Sequence, residues 1–212
     1  MLLMSYRRDT KKKILFFGDS ITEQGILIGG YIEQINRIIE AEDLVKKYQT
    51  ISKGVNGNKV YDLYLRMDED VVVQSPNITI VYIGINDIWC KSSTGTGLEI
   101  MKFEKFYRAI IVKLLAINSK IILCTPTAIG EKKFGENMHD DDLLNYSLLI
   151  LSLAKEYQIE TCDLNLAFRE YLNQNNYENI AEGLLTIDGV HLSKLGNSFV
   201  AEKLWSIIKS IK

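Results

Sequence analysis

The chain has 212 residues, a length typical of one globular domain that can bury a sizeable apolar core. Hydrophobic residues make up 47% and charged residues 25%, so the composition excludes a disordered chain. With 25 Lys and Arg against 27 Asp and Glu, the formal charge of -2 argues against a general nucleic-acid-binding protein, which usually carries a basic surplus.

Short β-branched runs alternate along the chain with longer segments of helical periodicity. The runs predict strands at residues 14–17, 48–51, 78–83, 120–124 and 160–162. The clearest helical stripes have apolar residues at positions 60, 63, 64, 67 and 71; 103, 106, 107, 110, 111, 114 and 115; 144, 148 and 151; and 200, 204, 207, 208 and 211. Ser193 is predicted to cap the last of these helices.

Strands that alternate with helices predict right-handed β-α-β crossovers and a mainly parallel sheet covered on both faces. The predicted fold class is therefore α/β, a single-domain three-layer α/β/α sandwich with five strands. The chain has only two prolines and no repeat or linker-like change in composition. We therefore expect one domain at residues 14–212, preceded by an N-terminal extension at residues 1–13.

Cys90, Cys124 and Cys162 have no C-x-x-C or Cys/His spacing, so they are predicted to be small buried side chains. No apolar stretch reaches the roughly 18–20 residues of a membrane span, and the apolar start at residues 1–4 is too short for a signal peptide. We therefore expect no integral membrane contact. The predicted location is cytoplasmic, or secreted or periplasmic if a signal peptide has been removed.

Loops rich in Gly, Asn, Asp and Ser follow the first three predicted strands, and another precedes the last helix. They lie at residues 18–22, 52–58, 84–87 and 188–191. In an open parallel sheet, ligands bind beyond the carboxyl ends of the strands. Each loop alone is ordinary turn chemistry, but together they predict a site at one edge of the sheet.

Ser20 stands where the first strand ends, and its hydroxyl needs a base before it can act as a nucleophile. The chain has two histidines, and His191 follows an acidic residue, Asp188, across a glycine-containing turn. That spacing lets the carboxylate accept a hydrogen bond from the Nδ1–H group and leaves Nε2 free to face Ser20. Ser20, Asp188 and His191 are therefore the predicted catalytic residues.

Nucleophilic attack on an ester carbonyl builds a negative oxygen, which needs hydrogen-bond donors. Three donors are predicted near it: the backbone N–H groups of Ser20 and Gly57 and the side-chain amide of Asn86. Asp19 and Asp87 are interpreted as carboxylates that order their loops through backbone N–H groups.

The order of these motifs resembles that of the SGNH (GDSL-type) hydrolases. Gly-Asp-Ser, a glycine loop, Gly-x-Asn-Asp and a late Asp-x-x-His follow one another between Gly18 and His191. Gly29-Gly30-Tyr31 and Thr125-Pro126 are similar to segments of bacterial esterases related to platelet-activating-factor acetylhydrolase. The resemblance implies a flavodoxin-like sheet and no cofactor.

For function, the resemblance implies an esterase or acylhydrolase. Ser20, Gly57 and Asn86 then match the residues of the family's sequence motifs, and Asp188 and His191 complete the catalytic triad with Ser20. We expect a serine esterase that cleaves small, short-acyl carboxylic esters through an acyl-enzyme, with acetylated sugars and lysophospholipid-like molecules as candidate substrates. Two alternatives stay open: a flavodoxin-like module that binds phosphate or flavin without catalysis, and an acyltransferase with the same triad. The predicted partner is a small ester, without nucleic acid.

Two further segments bear on metals and on the rim of the site. Residues 139–142 read His-Asp-Asp-Asp, which suits the start of a helix better than a metal site, so no metal is predicted. Residues 93–97 are expected to form a flexible rim of the cleft. The longer candidate rim at residues 88–102 is expected to have no helical stripe that could lie on a lipid surface. Residues 128–139 carry Glu131, Lys132, Lys133 and Glu136 and are expected to form a wet opening. Neither rim suits a long acyl chain.

Overall fold

The computed structural model describes residues 11–211, which form one sheet flanked by helices. The strands are β1 (Lys12–Gly18), β2 (Tyr48–Gly54), β3 (Ile78–Tyr82), β4 (Lys120–Cys124) and β5 (Glu160–Cys162). The existence of all five was predicted, but β1 begins at Lys12 rather than at residue 14, and β2 continues to Gly54. Lys12 and Lys13 pair with Tyr48 and Gln49 of β2, so residues 12 and 13 belong to the sheet rather than to an extension.

The α-helices of the described residues fill the connections between strands. They are α1 (Ser20–Gly25), α2 (Tyr31–Ala41), α3 (Val60–Asp70), α4 (Ile85–Ser93), α5 (Ile100–Ala116), α6 (Asp140–Tyr157), α7 (Leu164–Asn175) and α8 (Lys194–Ser210). A short 3₁₀ turn, Val72–Gln74, follows α3. None of the helices in the described part of the chain is long and apolar enough to cross a membrane.

The sheet has the strand order β2-β1-β3-β4-β5, and every neighbouring pair is parallel. This order is the flavodoxin-like arrangement. After β2 is added on one side of β1, the next strands are added on the other side, so the strand order reverses at β1. The prediction of an α/β fold with a five-stranded parallel sheet is therefore confirmed. The carboxyl ends of β1, β2 and β3 lie side by side at the reversal point.

Alternate residues of β1 face two separate cores. Ile14 and Phe16 join the core under α1, α2, α7 and α8, whereas Leu15 and Phe17 join the core under α3, α5 and α6. All four side chains are fully buried. Burial on both faces explains why the strand reads as a continuous apolar run, and it establishes the three layers.

The buried face of α6 differs from its prediction. Leu148 is 54% exposed, and Leu144 and Leu151 are only half-buried. The residues that face the core are Leu143, Tyr146, Ser147, Ile150, Leu153 and Ala154. Leucines occur on several sides of this helix, so its apolar pattern fits more than one face.

Smaller predictions can also be compared with the structure. Ser193 caps α8, because its Oγ accepts the N–H of Gly196 at 3.1 Å. Cys124 and Cys162 are buried as predicted, while Cys90 is half-buried, and all three are free thiols.

Candidate active site

Ser20 is positioned by the junction between β1 and α1. Asp19 caps the helix, with its Oδ1 accepting the N–H of Ile21 at 3.0 Å. The end of β2 approaches this helix so closely that a Cβ on Gly54 would overlap the backbone nitrogen of Glu23. The lack of a side chain at Gly54 therefore lets β2 hold α1, and with it Ser20, at the carboxyl edge of the sheet.

The structure brings the three predicted catalytic residues together. Ser20 Oγ lies 3.0 Å from Nε2 of His191, and His191 Nδ1 lies 2.7 Å from Oδ2 of Asp188. Ser20 is only 4% exposed, whereas the side chains of His191 and Asp188 are 20% and 47% exposed. The hydroxyl therefore lies at the bottom of a site whose acid is near the surface.

A tight turn holds Asp188 against His191. Gly189 has φ +83°, a conformation that glycine adopts without strain. Asp188 Oδ1 accepts the N–H of Val190 at 3.0 Å and that of His191 at 2.7 Å. Partial burial would raise the pKa of Asp188, but the hydrogen bonds from the His191 ring and from these backbone groups lower it. The carboxylate is thus ionised where it meets the imidazole.

The turn is anchored from behind by the loop that follows β4. The N–H of Gly130 donates to Gly189 O at 2.8 Å. The Glu131 carboxylate accepts the N–H of Leu184 at 2.8 Å and both the N–H and the hydroxyl of Thr186, at 2.5 and 2.7 Å. Glu131 is fully buried, so its placement on a wet rim was wrong. It stabilises the segment that leads to His191.

The predicted oxyanion donors surround the end of β1. The Asn86 side chain is 6% exposed, and its Nδ2 donates to Asn58 O at 3.0 Å, next to Gly57. An amide nitrogen carries two hydrogens, so one stays available for a ligand. Within residues 11–211, the backbone N–H groups of Ser20 and Gly57 donate to no protein acceptor. Each of the three groups therefore keeps an N–H without a protein acceptor among the described residues.

Asn86 and Asp87 lie in the first turn of α4 rather than in a loop. Gly84 has φ +130° and joins β3 to this helix directly, which the sequence did not predict. Asp87 is fully buried, and its two oxygens accept the N–H of Val60 at 3.2 and 3.3 Å. As predicted, this carboxylate orders a neighbouring segment, here the start of α3.

Arg66 is a site-forming residue that sequence reasoning missed. From α3, its NH2 group donates to Gly18 O at 2.8 Å and Lys53 O at 3.0 Å, and its Nε donates to Asn58 Oδ1 at 2.7 Å. Asp70, one turn along α3, accepts from the same guanidinium. Arg66 therefore ties the ends of β1 and β2 to the loop that carries Gly57. The only signal in the sequence was its i,i+4 spacing from Asp70, which is common on solvated helices.

Two buried carboxylates give the site an unusual electrostatic setting. Burial raises the pKa of Asp19 to about 7, although the Ile21 N–H and the attraction of His191 oppose the shift. Burial also raises the pKa of Asp87 to about 7, against the hydrogen bond from Val60, and the charge of Asp19 adds to the increase. Asp19 and Asp87 therefore titrate close to neutral pH.

The segment at residues 139–142 starts α6, as predicted, with His139 at the cap position and Asp140, Asp141 and Asp142 in the first turn. Among the residues that the structure describes, no group of three or more His, Cys, Asp and Glu side chains could hold a metal ion. His139 Nε2 instead lies 2.9 Å from Ser92 Oγ, near the end of α4.

The candidate rim at residues 88–102 is largely helical, whereas the part predicted to be flexible, residues 93–97, lies outside regular helix except for Ser93. Residues 88–93 belong to α4 and residues 100–102 to α5. Only residues 94–99 connect them outside regular helix. Helices α4 and α5 therefore make up most of this segment.

A flavodoxin-like sheet with a Ser–His–Asp chain of hydrogen bonds at its carboxyl edge is the arrangement of an esterase-type hydrolase. Residues 16–198 match the model of the GDSL-like Lipase/Acylhydrolase family, and the chain belongs to that family. It is accordingly a carboxylic ester hydrolase. Family membership favours this enzyme class over a binding module without catalysis.

Similar proteins cover nearly the whole chain. An acetylxylan esterase of Geobacillus stearothermophilus is 28% identical over 205 residues, which cover 90% of each chain. The isoamyl acetate-hydrolyzing esterase 1 homolog of Homo sapiens is 22% identical, covering 93% of this chain and 81% of that protein. The crystal structure of the acetyl xylan esterase AlAXEase superposes with a TM-score of 0.91 at 46% identity, covering 92% of this chain and 99% of the other.

Proposed function

We propose that the protein removes acetyl groups from acetylated carbohydrates, with Ser20 as nucleophile, His191 as base and Asp188 as the carboxylate that orients the imidazole. One observation carries this proposal: the unbroken contact from Ser20 Oγ to His191 Nε2 at 3.0 Å and from His191 Nδ1 to Asp188 Oδ2 at 2.7 Å. This geometry lets one group accept the proton that another must lose.

The choice of an acetylated carbohydrate is supported by the similar proteins, two of which are named acetylxylan esterases. Related structures of the Geobacillus stearothermophilus enzyme are described as catalytic mutants in which a serine, an aspartate or a histidine is replaced by alanine. The aspartate and histidine replaced there are three residues apart, as Asp188 and His191 are. The likeness supports equivalent roles in this chain.

The first half of the proposed reaction acylates Ser20. As Oγ bonds to the acetyl carbon, its proton moves to His191 Nε2 and the carbonyl electron pair moves onto oxygen. That oxygen accepts hydrogen bonds from the N–H groups of Ser20 and Gly57 and from the Asn86 amide. When the intermediate collapses, the bond to the sugar oxygen breaks, and His191 returns its proton to that oxygen.

The second half releases acetate. A water molecule gives its proton to His191 as its oxygen bonds to the acetyl carbon, and the same donors hold the second oxyanion. Collapse breaks the bond to Ser20 Oγ, which regains its proton from His191. Asp188 stays ionised throughout and stabilises the imidazolium formed in both halves.

We expect the enzyme to prefer acyl groups of about two to four carbons. A long acyl chain gains about 0.8 kcal/mol for each methylene that it buries, which requires an extended apolar groove. The segment between α4 and α5 is limited to residues 94–99, so it is too short to carry an amphipathic lid of the kind that binds lipid surfaces.

The test measures acetate release from acetylated xylo-oligosaccharides, beside p-nitrophenyl esters of increasing length and lysophosphatidylcholine. The proposal expects acetate release that disappears in Ser20→Ala and persists in Ser92→Ala, the matched control for a serine in contact with a histidine. Turnover of p-nitrophenyl acetate without release from acetylated sugars would refute the substrate class. If kcat/KM for the p-nitrophenyl esters reached its maximum at an acyl length of about eight carbons or more, the short-acyl preference would be refuted.

A further inference from the structure

One of the three proposed oxyanion donors lies on an exposed turn. Residues 55–57 are exposed, and Gly57 has φ +75°. A Cβ added to Gly57 would meet no atom of the described residues within 4 Å beyond its chain neighbours. The N–H of Asn58 donates to Val55 O at 3.2 Å and closes the turn. Packing at Gly57 itself therefore does not fix the direction of its N–H, and the residues that follow the turn have to do so.

The first turn of α4 holds those following residues at two points. Asn86 Nδ2 donates to Asn58 O at 3.0 Å. The N–H of Val60 donates to Oδ1 and Oδ2 of Asp87, at 3.3 and 3.2 Å. The two contacts lie on either side of Lys59, so together they fix the course of the backbone between them. Because Asn86 and Asp87 are neighbours in the chain, the same two contacts set the Asn86 amide against the glycine turn.

The α4 side of these contacts is firmly anchored. Ile85 and Ile88, in the same helical turn, are buried in the two cores of the protein. The backbone oxygen of Asp87 accepts the N–H of Leu98 at 3.0 Å, and the Asp87 side chain is fully buried. Asp87 is thus a fixed point against which the exposed turn can be located.

The start of α3 takes an acceptor from Asp87 that its own cap residue cannot supply. Helix α3 begins at Val60, and Lys59 occupies the cap position before it. A helix start leaves backbone N–H groups without partners, and Ser, Thr, Asp or Asn usually accepts one of them there. The ammonium group of Lys59 has donors and no acceptor. Asp87 supplies the carboxylate from another helix, where the positive end of the α3 dipole favours it.

We infer that Asp87 is a positioning residue of the proposed reaction, because its carboxylate holds the Gly57 N–H and the Asn86 amide at the spacing that one oxyanion requires. The inference rests on the proposed function for the oxyanion. Arg66 acts beside Asp87, since it ties the same loop to Gly18 O at the end of β1. A displacement on the order of 1 Å can slow a reaction about 10²-fold. The oxyanion forms in the transition state, so the loss falls on kcat rather than on KM.

The experiment removes each end of the Asp87–Val60 hydrogen bond and measures hydrolysis of p-nitrophenyl acetate. Asp87→Ala removes the acceptor. Val60→Pro removes the donor, and proline suits this site because Val60 is the first residue of α3 and Lys59 before it is extended, with ψ 173°. Each change should lower kcat about 10- to 100-fold with little change in KM. The double variant should lose little more, because both changes remove the same contact.

Two variants control for the loss of a helix cap and for the introduction of proline. Asp163→Ala removes a carboxylate that accepts the N–H of Leu166 at 3.1 Å at the start of α7. Ile100→Pro places proline at the first residue of α5, again after an extended residue. Both should keep kcat even where their Tm falls. Asp87→Asn retains an oxygen that can accept the same N–H, so it should recover most of the kcat lost in Asp87→Ala.

Circular dichroism and the Tm show which variants fold, and Val60→Pro with Asp87→Asn decides the question if Asp87→Ala does not fold. Full kcat in folded Asp87→Ala or Val60→Pro, a change confined to KM, additive losses in the double variant, or an equal loss in Asp163→Ala would each overturn the inference and leave the esterase function intact. If the unmodified enzyme did not hydrolyse p-nitrophenyl acetate, the proposed function would be refuted, and the inference with it.

Discussion

The molecule contains two contacts between a serine and a histidine, and they are almost equal in length. Ser20 Oγ lies 3.0 Å from His191 Nε2, and Ser92 Oγ lies 2.9 Å from His139 Nε2. The surroundings of the two pairs differ. His191 Nδ1 meets the Asp188 carboxylate at 2.7 Å, whereas no carboxylate among residues 11–211 accepts from His139.

The backbone around the two serines differs as well. Ser20 is the first residue of α1, where free N–H groups are available, while Ser92 lies in the last turn of α4, where the free groups are carbonyls. The Ser92 hydroxyl also donates to Trp89 O at 3.3 Å. A carbonyl-rich helix end would repel a developing oxyanion. A short distance between a serine hydroxyl and an imidazole therefore does not identify an active site. The Asp188 carboxylate and the free N–H donors distinguish the candidate site at Ser20 from the contact at Ser92.

The largest expected loss of activity comes from removing the side chains of the Ser20–His191 pair, and removal of the Ser92–His139 pair is the comparison. Ser20→Ala and His191→Ala should each lower kcat for p-nitrophenyl acetate roughly 10⁴- to 10⁶-fold, and the double variant should lose little more because the two groups act as one unit. Ser92→Ala and His139→Ala should stay close to the unmodified enzyme. Steady-state kinetics on folded variants measures all five, and substantial activity in Ser20→Ala would place the nucleophile elsewhere.

The proposed oxyanion donors sharpen the comparison, since Ser92 lies at a helix end where the free backbone groups are carbonyls. Asn86→Ala should lower kcat by about 10²–10³-fold with little change in KM, because the amide meets a negative oxygen mainly in the transition state. Asn145, exposed on α6, supplies the control Asn145→Ala, which should leave both parameters unchanged. A change confined to KM would assign Asn86 to ground-state binding.

His191, unlike His139, follows a segment that the buried Glu131 carboxylate holds in place. Glu131→Ala should lower the free energy of unfolding by about 2–4 kcal/mol, because the change strands buried donors of Leu184 and Thr186. Glu136→Ala, an exposed acid of the same loop, should cost much less. Urea denaturation followed by circular dichroism measures both, and equal losses would contradict a structural role of Glu131 behind His191.

The smallest effect concerns pH and the carboxylate beside Ser20. The folded protein keeps on Asp19, with its pKa raised to about 7, a proton that the unfolded chain releases near its ordinary value of 3.8. The stability contributed by this proton is complete below about pH 4 and falls as the pH rises to about 7. Asp19→Asn should therefore flatten the decline of Tm between pH 5 and 7, whereas Asp141→Asn on the surface of α6 should not. Identical slopes in both variants would show that Asp19 does not hold the proton.

The sequence was sufficient for features that depend on local pattern. Five strands, a parallel sheet and the order of Ser20, Asn86 and His191 follow from apolar periodicity and from polar residues placed after strands. The loop with Asp188 and His191 follows no strand, so its convergence with Ser20 was predicted from chemistry: a serine hydroxyl needs a base before it can act as a nucleophile. The structure places these three side chains in contact as expected.

What escaped prediction depends on long-range packing. Glu131 has the composition of a solvated loop, and only its tertiary contacts with Leu184 and Thr186 make it a buried anchor. Arg66 likewise has surface-helix spacing but reaches the ends of two strands. The prediction of the buried face of α6 was wrong for a different reason. Apolar residues lie on several sides of this helix, so the 3.6-residue periodicity fits more than one buried face.

The two partners of the Ser20–His191 contact are 171 positions apart in the chain. During synthesis, a ribosome adds the proposed nucleophile 171 residues before the proposed base. Any chain that stops before His191 carries a serine without the imidazole that would activate it, even if β1 and its neighbours have already paired. Ester hydrolysis in a translation mixture therefore counts folded chains that extend past His191, so a chromogenic acetate would report termination before His191 as lost colour.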